Sequence, residues 1–519
     1  MAYAVEKLKA RRNAAQRERD QFQPLLDEAY QYAIPFRKGI KHTGAGEKRV
    51  NQAFDHTAIE AAFRFAGKLQ QDLWPEGQQN FELEPGPLVQ DPAQRDELGR
   101  ELAKIAKVVQ AFFEDGSWDM AFHEAAIDLS AGTGAIYMPS TADPQRLWDP
   151  MSVSIEEIMI ECGANGRVTG IFWDRKGPLR TLFEAYPDGN FGKDLTDLYK
   201  AKPETEVDYR LDTVFDPKTN RWRLCVWCTK QDALIEDSQT RTCPWLIPRY
   251  YRVPGESYGR GVVMLAMPAI KTTNTAVRLQ LQAAAIAMLG IYTAVDDGVF
   301  NPDLSPIEPG AFWKVARNGG TLGKSIERLP EPRLDLTQIV LKDLRAGIKG
   351  TMMDNDLPMA GEAVKTPTEI IERVKRGASD HQGAFGRLVM EICAGAVLRA
   401  LEIAYDRALI KSQIPIDQLL VKMRVKSPMA MARAASHWQH SLNWLQVVLG
   451  IEGAKATAPG IARIAKTDDI LTDGGRAIGV DPKYILTTDE RAAVDKKLAE
   501  QQQVASALQA LGGKPAGAA

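Results

Sequence analysis

Apolar residues recur at helical spacing near both ends of the chain and follow strand-like patterns between them. In residues 1–33, Val5, Leu8, Phe22, Leu25, Leu26, Ala29 and Tyr30 recur among many charges, and Pro35 ends the run. That pattern predicts a helix. A second helix is expected over 57–74. Thr57 and Glu60 have capping-box spacing and Pro75 is a stop signal. Its apolar face would comprise Ile59, Ala62, Phe63, Ala66, Leu69 and Leu73. A third helical region covers 91–131 and breaks near Gly116.

The period then changes. Residues 134–250 contain "GAIYMPS", "VSIEEIMIECG", "VTGIFWDRK", "TLFEAYP", "VDYRLDTVF" and "RWRLCVWCTK", separated by "GANG", "PDGN" and "DPKTN". β-branched and aromatic residues between turn signals predict antiparallel hairpins in an α+β domain.

Helical spacing returns over 259–290, interrupted or bent near Pro268. It returns again over 335–352, "DLTQIVLKDLRAGIKGTM". The Pro- and Gly-rich residues 291–333 between them read as a compact irregular or β-containing insert. After the loop 354–366, "TPTE" marks a helix start, with Thr366 as cap, Pro367 at the first position and Glu369 completing the box. No proline follows until Pro415, so this helix could exceed 40 residues, roughly 60 Å at 1.5 Å per residue. It includes Gly377, Gly383, Gly386 and Gly395. Interior glycines cost about 1 kcal/mol each against alanine, which points to close backbone approach or bending. Residues 428–480 are helical in pattern, a polar helix follows, and "GGKPAGAA" reads as a disordered tail.

Composition narrows the class. The 519 residues are 45% hydrophobic and 25% charged, with a net charge of −2. Such a chain can form two to four domains and is not a generic basic nucleic-acid coat. Five cysteines form no evident disulfide framework, which suggests a reducing compartment. The charged N-terminus is not a secretory signal. The uncharged stretch 279–295 falls short of the ~20 apolar residues of a membrane span and reads as a buried interface helix.

Candidate catalytic motifs fail on spacing. "RNGGTLGKS", residues 317–325, is similar to a Walker A loop. Counting back from Lys324, however, the first glycine is replaced by Asn318. A phosphate cradle also needs a helix starting at its Lys-Ser end. Here Pro330 and Pro332 leave room for barely one turn. Cys225 and Cys228 have CxxC spacing without a second pair, and a strand would put them on opposite faces. His437 and His440 share a helical face beside Trp438 and Trp444, without a carboxylate at matching spacing. His123-Glu124 lacks a zincin's second histidine. No cofactor or metal site is expected.

The order of the segments resembles the head-to-tail connector, or portal, proteins of short-tailed T7-like phages. The segments are the opening charged helix, "DHTAIEAAFRFAGKLQQDLWPEGQQNFEL", a β-rich part ending in "PWLIPRYYRVPGESYGRG", a helix–insert–helix, and "TPTEIIERVKRG". "RYYRVPGESYGRG", "TPTEI" and "IGVDPKYILTTDE" carry the resemblance most specifically, and it spans roughly 5–500.

The resemblance implies a homo-oligomeric ring, typically of twelve subunits, at one capsid vertex, with double-stranded DNA passing along its axis. It implies a wing over 1–258, stem helices over 259–290 and 335–353, and a clip over 291–334. A tunnel loop would occupy 354–366, a long wing helix and following segment 367–425, a crown 426–505 and a tail 506–519. The implied partners are the large terminase motor, a tail adaptor, scaffold and the major capsid protein. Within that frame the DNA-channel candidates are Lys342, Arg345, Lys349, Met359 and Lys365. Lys342, Arg345 and Lys349 lie on one side of their helix. Weak phosphate contact and a solvated or salt-bridging face are both open for them. The clip candidates for partner docking are Phe312, Trp313, Lys314, Arg317 and Lys324. Ala284, Ala287 and Gly290 would allow close packing between subunits. Near-neutral charge suits a channel in which DNA slides, because a strongly basic lining would hold phosphate by counterion release. Two rival readings are a nucleotide-driven packaging motor and a capsid–tail adaptor without a DNA channel.

Overall fold

The computed structural model describes residues 5–37, 53–114, 117–141, 146–229, 234–289, 292–294, 326–328, 334–354, 382–411 and 419–426, with scattered positions in 490–503. Helix α1 (Val5–Tyr32) opens the chain and α2 (Thr57–Leu73) follows. Strand β1 (Phe81–Pro85), α3 (Pro92–Gln110) and α4 (Ser117–Ala131) come next. The expected third helical region is therefore two helices, divided near the expected glycine.

The buried stripe of α1 is Leu8, Arg12, Ala15, Arg19, Phe22, Leu26, Ala29 and Tyr30. From Leu8 to Ala29 its spacing alternates between four and three residues, so two arginines lie on the core-facing side. Leu25, expected inside, is 38% exposed. In α2 the expected capping box is absent. His56 is the cap residue, and the Asp55 carboxylate accepts the Thr57 N–H at 2.8 Å. Ala62, Ala66, Leu69 and Leu73 of the expected α2 face are buried, but the face is shifted at its edge. Ala58, Ala61 and Phe65 are buried, whereas Phe63 is 43% exposed and stacks on Phe36 at 4.8 Å.

Short strands β2 (Ile136–Tyr137) and β3 (Met151–Ser152) precede the main sheet. That sheet contains β4 (Ile158–Cys162), β5 (Val168–Pro178), β6 (Glu206–Asp216), β7 (Arg221–Cys228) and β8 (Leu234–Thr240). They pair in sequence order, every neighbour antiparallel. The mixed helix-and-sheet content is the expected α+β class. "TLFEAYP" is helical rather than a strand: α5 (Leu179–Ala185) and α6 (Lys193–Ala201) interrupt the hairpin series. Leu179 and Leu182 are buried at i, i+3, and the aromatic rings of Phe183, Phe191 and Tyr199 stack. That packing overrides the strand propensity of a short aromatic run.

As expected, the "CVWC" cysteines lie on a strand and point to opposite sides. Cys225 joins the small cluster under α1 with Leu8, Ala15 and Phe172, and Cys228 joins the main core. Burial pushes the Cys225 thiol well above its ordinary pKa, as expected of an inert packing residue.

Strands β9 (Trp245–Leu246), β10 (Tyr251–Arg252) and β11 (Gly259–Arg260) lead into α7 (Val262–Leu289), which contains Pro268. Next, β12 (Tyr292–Ala294) pairs antiparallel with β13 (Ile326–Arg328), and α8 (Leu334–Thr351) returns. Helix α9 (Gln382–Leu388) continues through a π-helical segment, Val389–Ala394, into α10 (Gly395–Asp406). β14 (Val421–Val425) then pairs with β1.

The helical run ends at Asp406, with Ala408 at positive φ, nine residues before the proline expected to stop it. Its start at 366–369 lies outside the described residues, as do Gly377 and the histidine–tryptophan segment 437–444. Gly395 does mark a close approach, because a Cβ there would overlap the Leu246 side chain. Among the described residues no helix is long and apolar enough to cross a membrane, and no group of side chains could hold a metal ion.

Candidate functional site: the α7–α8 hairpin and its base

The hairpin begins where "GESYGRG" crosses the end of α4. Gly132, at φ +135°, has its own Cβ direction filled by the Gly259 carbonyl. Gly259 faces the Gly132 carbonyl in turn, and a Cβ on Gly261 would overlap the Ser130 carbonyl oxygen. These glycines allow a direct backbone crossing. The Gly259 N–H donates to Thr133 Oγ1 at 2.8 Å, and the Tyr250 N–H donates to the Gly132 carbonyl at 2.9 Å. Tyr258 is fully buried and its hydroxyl accepts the Ile160 N–H at 3.2 Å, tying the crossing to β4.

Farther along, α7 packs against α8, with Val277, Leu341 and Ile348 buried. Asp55 joins the hairpin to α2. Its carboxylate caps α2 and meets Arg345 Nη2 at 2.6 Å, while Asn274 Oδ1 accepts the Phe54 N–H at 2.6 Å. Burial by itself would raise the pKa of Asp55. The Thr57 hydrogen bonds and the Arg345 guanidinium outweigh it and hold the carboxyl below its ordinary value. The ion pair is therefore charged at neutral pH. At the other end of α8, the largely buried Asp354 meets Arg64 at 3.2 Å, and Tyr250 donates its hydroxyl to Met353 Sδ at 3.2 Å. The last described residue before 355–381 is thus fixed to the body.

The sequence candidates fall unevenly on this frame. Lys342 is exposed, Arg345 is committed to Asp55, and Lys349 is half-buried. The three share one flank of α8. Ala284 is half-buried, and Ala287 lies in α7. Met359, Lys365, Phe312, Trp313, Lys314, Arg317, Lys324 and Gly290 lie outside the described residues. Asp55, Arg64, Asp354 and the crossing glycines were not among the candidates. Asp55 has a local signal, an aspartate two residues before Thr57 at a helix start. Asp354 has none, because its partner is 290 positions away.

The Walker-like loop meets a direct test at its downstream edge. A phosphate cradle needs helical N–H groups after Lys324-Ser325. The chain instead enters β13 at Ile326, with its backbone paired to β12. Strand geometry there removes the helix N-terminus that the anion site would use.

The sequence matches the family of bacteriophage head to tail connecting proteins over residues 5–486. The chain belongs to that family. It is thus a structural protein of the virion, working with head and tail components, in a family that is not one of enzymes. A search of curated proteins returns no match.

Proposed function

We propose that this connector is a portal: a ring of identical subunits, twelve in the reading the resemblance supports, forming a DNA channel at one capsid vertex. The observation that carries this reading is the family match across nearly the whole chain. A protein joining head to tail lies on the path that the genome takes between them, so it must leave a passage. An antiparallel helical hairpin, anchored at its base and closed by a strand pair at its tip, is a suitable wall element. In this reading α7 and α8 are the stem and β12–β13 belongs to the clip. The clip receives the terminase motor during packaging and the tail adaptor afterwards, and scaffold and capsid protein surround the ring at the vertex. Lys342 and Lys349 supply weak phosphate contacts, and Arg345 positions α8. Met359 and Lys365 belong to the loop nearest the DNA. Phe312, Trp313, Lys314, Arg317 and Lys324 serve docking at the clip. Ala284, Ala287 and Gly290 pack against a neighbouring copy. The subunit assembles in the host cytoplasm and functions in packaging, retention and ejection of the genome.

Deleting residues 356–363 tests the loop's role. Particles built with the shortened chain should retain rings by electron microscopy but package or retain far less DNA than wild type. Loss of rings, or full packaging, would contradict the assignment.

A further inference from the structure

Among the described residues, the hairpin has two unpartnered outer faces. On α7, Leu265, Pro268, Thr272, Thr275, Leu279 and Gln282 are exposed at spacings of three and four residues. Leu265 and Leu279 are 57% and 58% exposed. The Thr272 and Thr275 hydroxyls donate to the Pro268 and Lys271 carbonyls at 2.8 and 2.9 Å. This outer stripe therefore carries methyl and isobutyl groups without a charge over about 25 Å of helix. Residues 262–289 contain only two charged side chains, Lys271 and Arg278. Lys271 meets Glu28 at 2.7 Å. Arg278 is exposed, on a flank of the stripe, with its guanidinium over the Phe54 ring.

The outer face of α8 complements it. Ile339 and Val340 are 62% and 55% exposed. Ala346, Gly347 and Gly350 are exposed, and nothing lies within 4 Å of a Cβ placed on either glycine. Among the described side chains its anion is the exposed Asp343, whereas Lys342 lies round the helix toward Arg345. Neither Arg278 nor Asp343 has an ion-pair partner among the described residues. The two are nevertheless close in height along the hairpin. Asn274 and Arg345 both meet the Phe54–Asp55 segment, and the helices run in opposite directions. At 1.5 Å per residue, Arg278 lies ~6 Å and Asp343 ~3 Å above that level. On the same scale Thr272 is level with Gly347.

We propose that the outer face of α7 in one copy packs against the outer face of α8 in the next, with Arg278 pairing to Asp343 across the junction. This rests on the ring reading above. The contact is head-to-tail, so each copy offers a different face to each neighbour, and a rotation between copies that divides a full turn closes the series as a ring. A cyclic axis along the hairpin brings together residues of equal height, and the ~3 Å between Arg278 and Asp343 is within the span of an arginine side chain. Small residues on α8 admit the side chains of α7.

Charge exchange in the full-length chain tests the proposal, with ring fraction read by mass photometry. R278E and D343R should each lower the ring fraction at least tenfold at a concentration where wild type is assembled. The R278E/D343R double variant should return to within about twofold of wild type. Thr272→Cys with Gly347→Cys should give an oxidant-dependent ladder of covalent multimers that neither single variant gives. Unaffected single variants, or a double variant no better than either, with wild-type rings intact, would overturn this contact and leave the ring reading standing. A monomeric wild-type chain, as when another protein covers these faces, would overturn both.

Discussion

Gly261→Ala is expected to destabilise the chain by about 2–4 kcal/mol, because the added methyl group has no space. Its Cβ would overlap a backbone carbonyl oxygen, that of Ser130, and Ser130 is fully buried. A backbone obstacle cannot move aside as a flexible side chain can. Relief would require separating the α4 end from the strand that launches α7, breaking the Gly259–Thr133 hydrogen bond and disturbing the seat of Tyr258. Gly386→Ala is the contrast. That glycine is helical with nothing within 4 Å of an added Cβ, so alanine should stabilise by up to about 1 kcal/mol through helix propensity. Denaturant unfolding of the two variants should show opposite signs. Equal midpoints would contradict the crossing as a constraint. The same strain acts on the direction in which the hairpin leaves the body, so G261A should also assemble poorly.

Removing Arg12 should be costlier than removing any surface arginine of this chain. Arg12 is 4% exposed beneath the main sheet, and its guanidinium meets Asp212 at 2.6 Å and also Asp174. Asp212 is completely buried, and its other oxygen accepts the Trp227 indole N–H at 2.8 Å. Arg12→Ala would leave that carboxylate in the interior without its closest cation, a loss of about 3–5 kcal/mol. Replacing the pair together, R12M/D212L, should recover part of it, because the buried Asp212 charge goes with its cation and the more exposed Asp174 keeps Arg210 at 3.4 Å, while the Trp227 N–H loses its acceptor. Arg180 meets Glu204 at 2.8 Å but is 46% exposed, and Arg180→Ala should be close to neutral because solvent screens the pair. Urea unfolding measures all three. An R12A loss no larger than that of R180A would refute the view that this pair ties α1 to the sheet.

These two sites also show what the sequence could and could not convey. The helices around the hairpin, the antiparallel sheet and the opposed cysteines follow from periodicity and turn chemistry, which act over a few residues. The arginines on the buried stripe of α1 do not, because charge at a helical position ordinarily signals solvent. Only the unbroken three-and-four spacing from Leu8 through Arg12 and Arg19 to Leu26 marks them as inward, and the partners of Arg12, Asp174 and Asp212, lie on distant strands while Arg19 lies over the Tyr258 ring. "TLFEAYP" was misleading for a related reason. Its aromatic residues suit a strand locally, whereas the stacking of Phe183 with Phe191 and Tyr199 suits a helix. The glycines of "GESYGRG" were visible, but their cause was not. Gly259 and Gly261 answer to Gly132 and Ser130, more than 120 positions earlier. For the Walker-like loop, counting residues argued against phosphate binding, and the strand at Ile326 supplies the structural reason. At the hairpin, Arg345 was legible as a cation on a helix flank. Its commitment to Asp55 needed the fold.

The ring is the claim on which the function depends. Electron microscopy of the purified full-length chain, with nucleotide hydrolysis assayed on the same sample, tests it most directly. The portal reading predicts closed rings with an axial hole and no turnover of ATP. Compact monomers that hydrolyse ATP, or assemblies without a continuous axial pore, would contradict it.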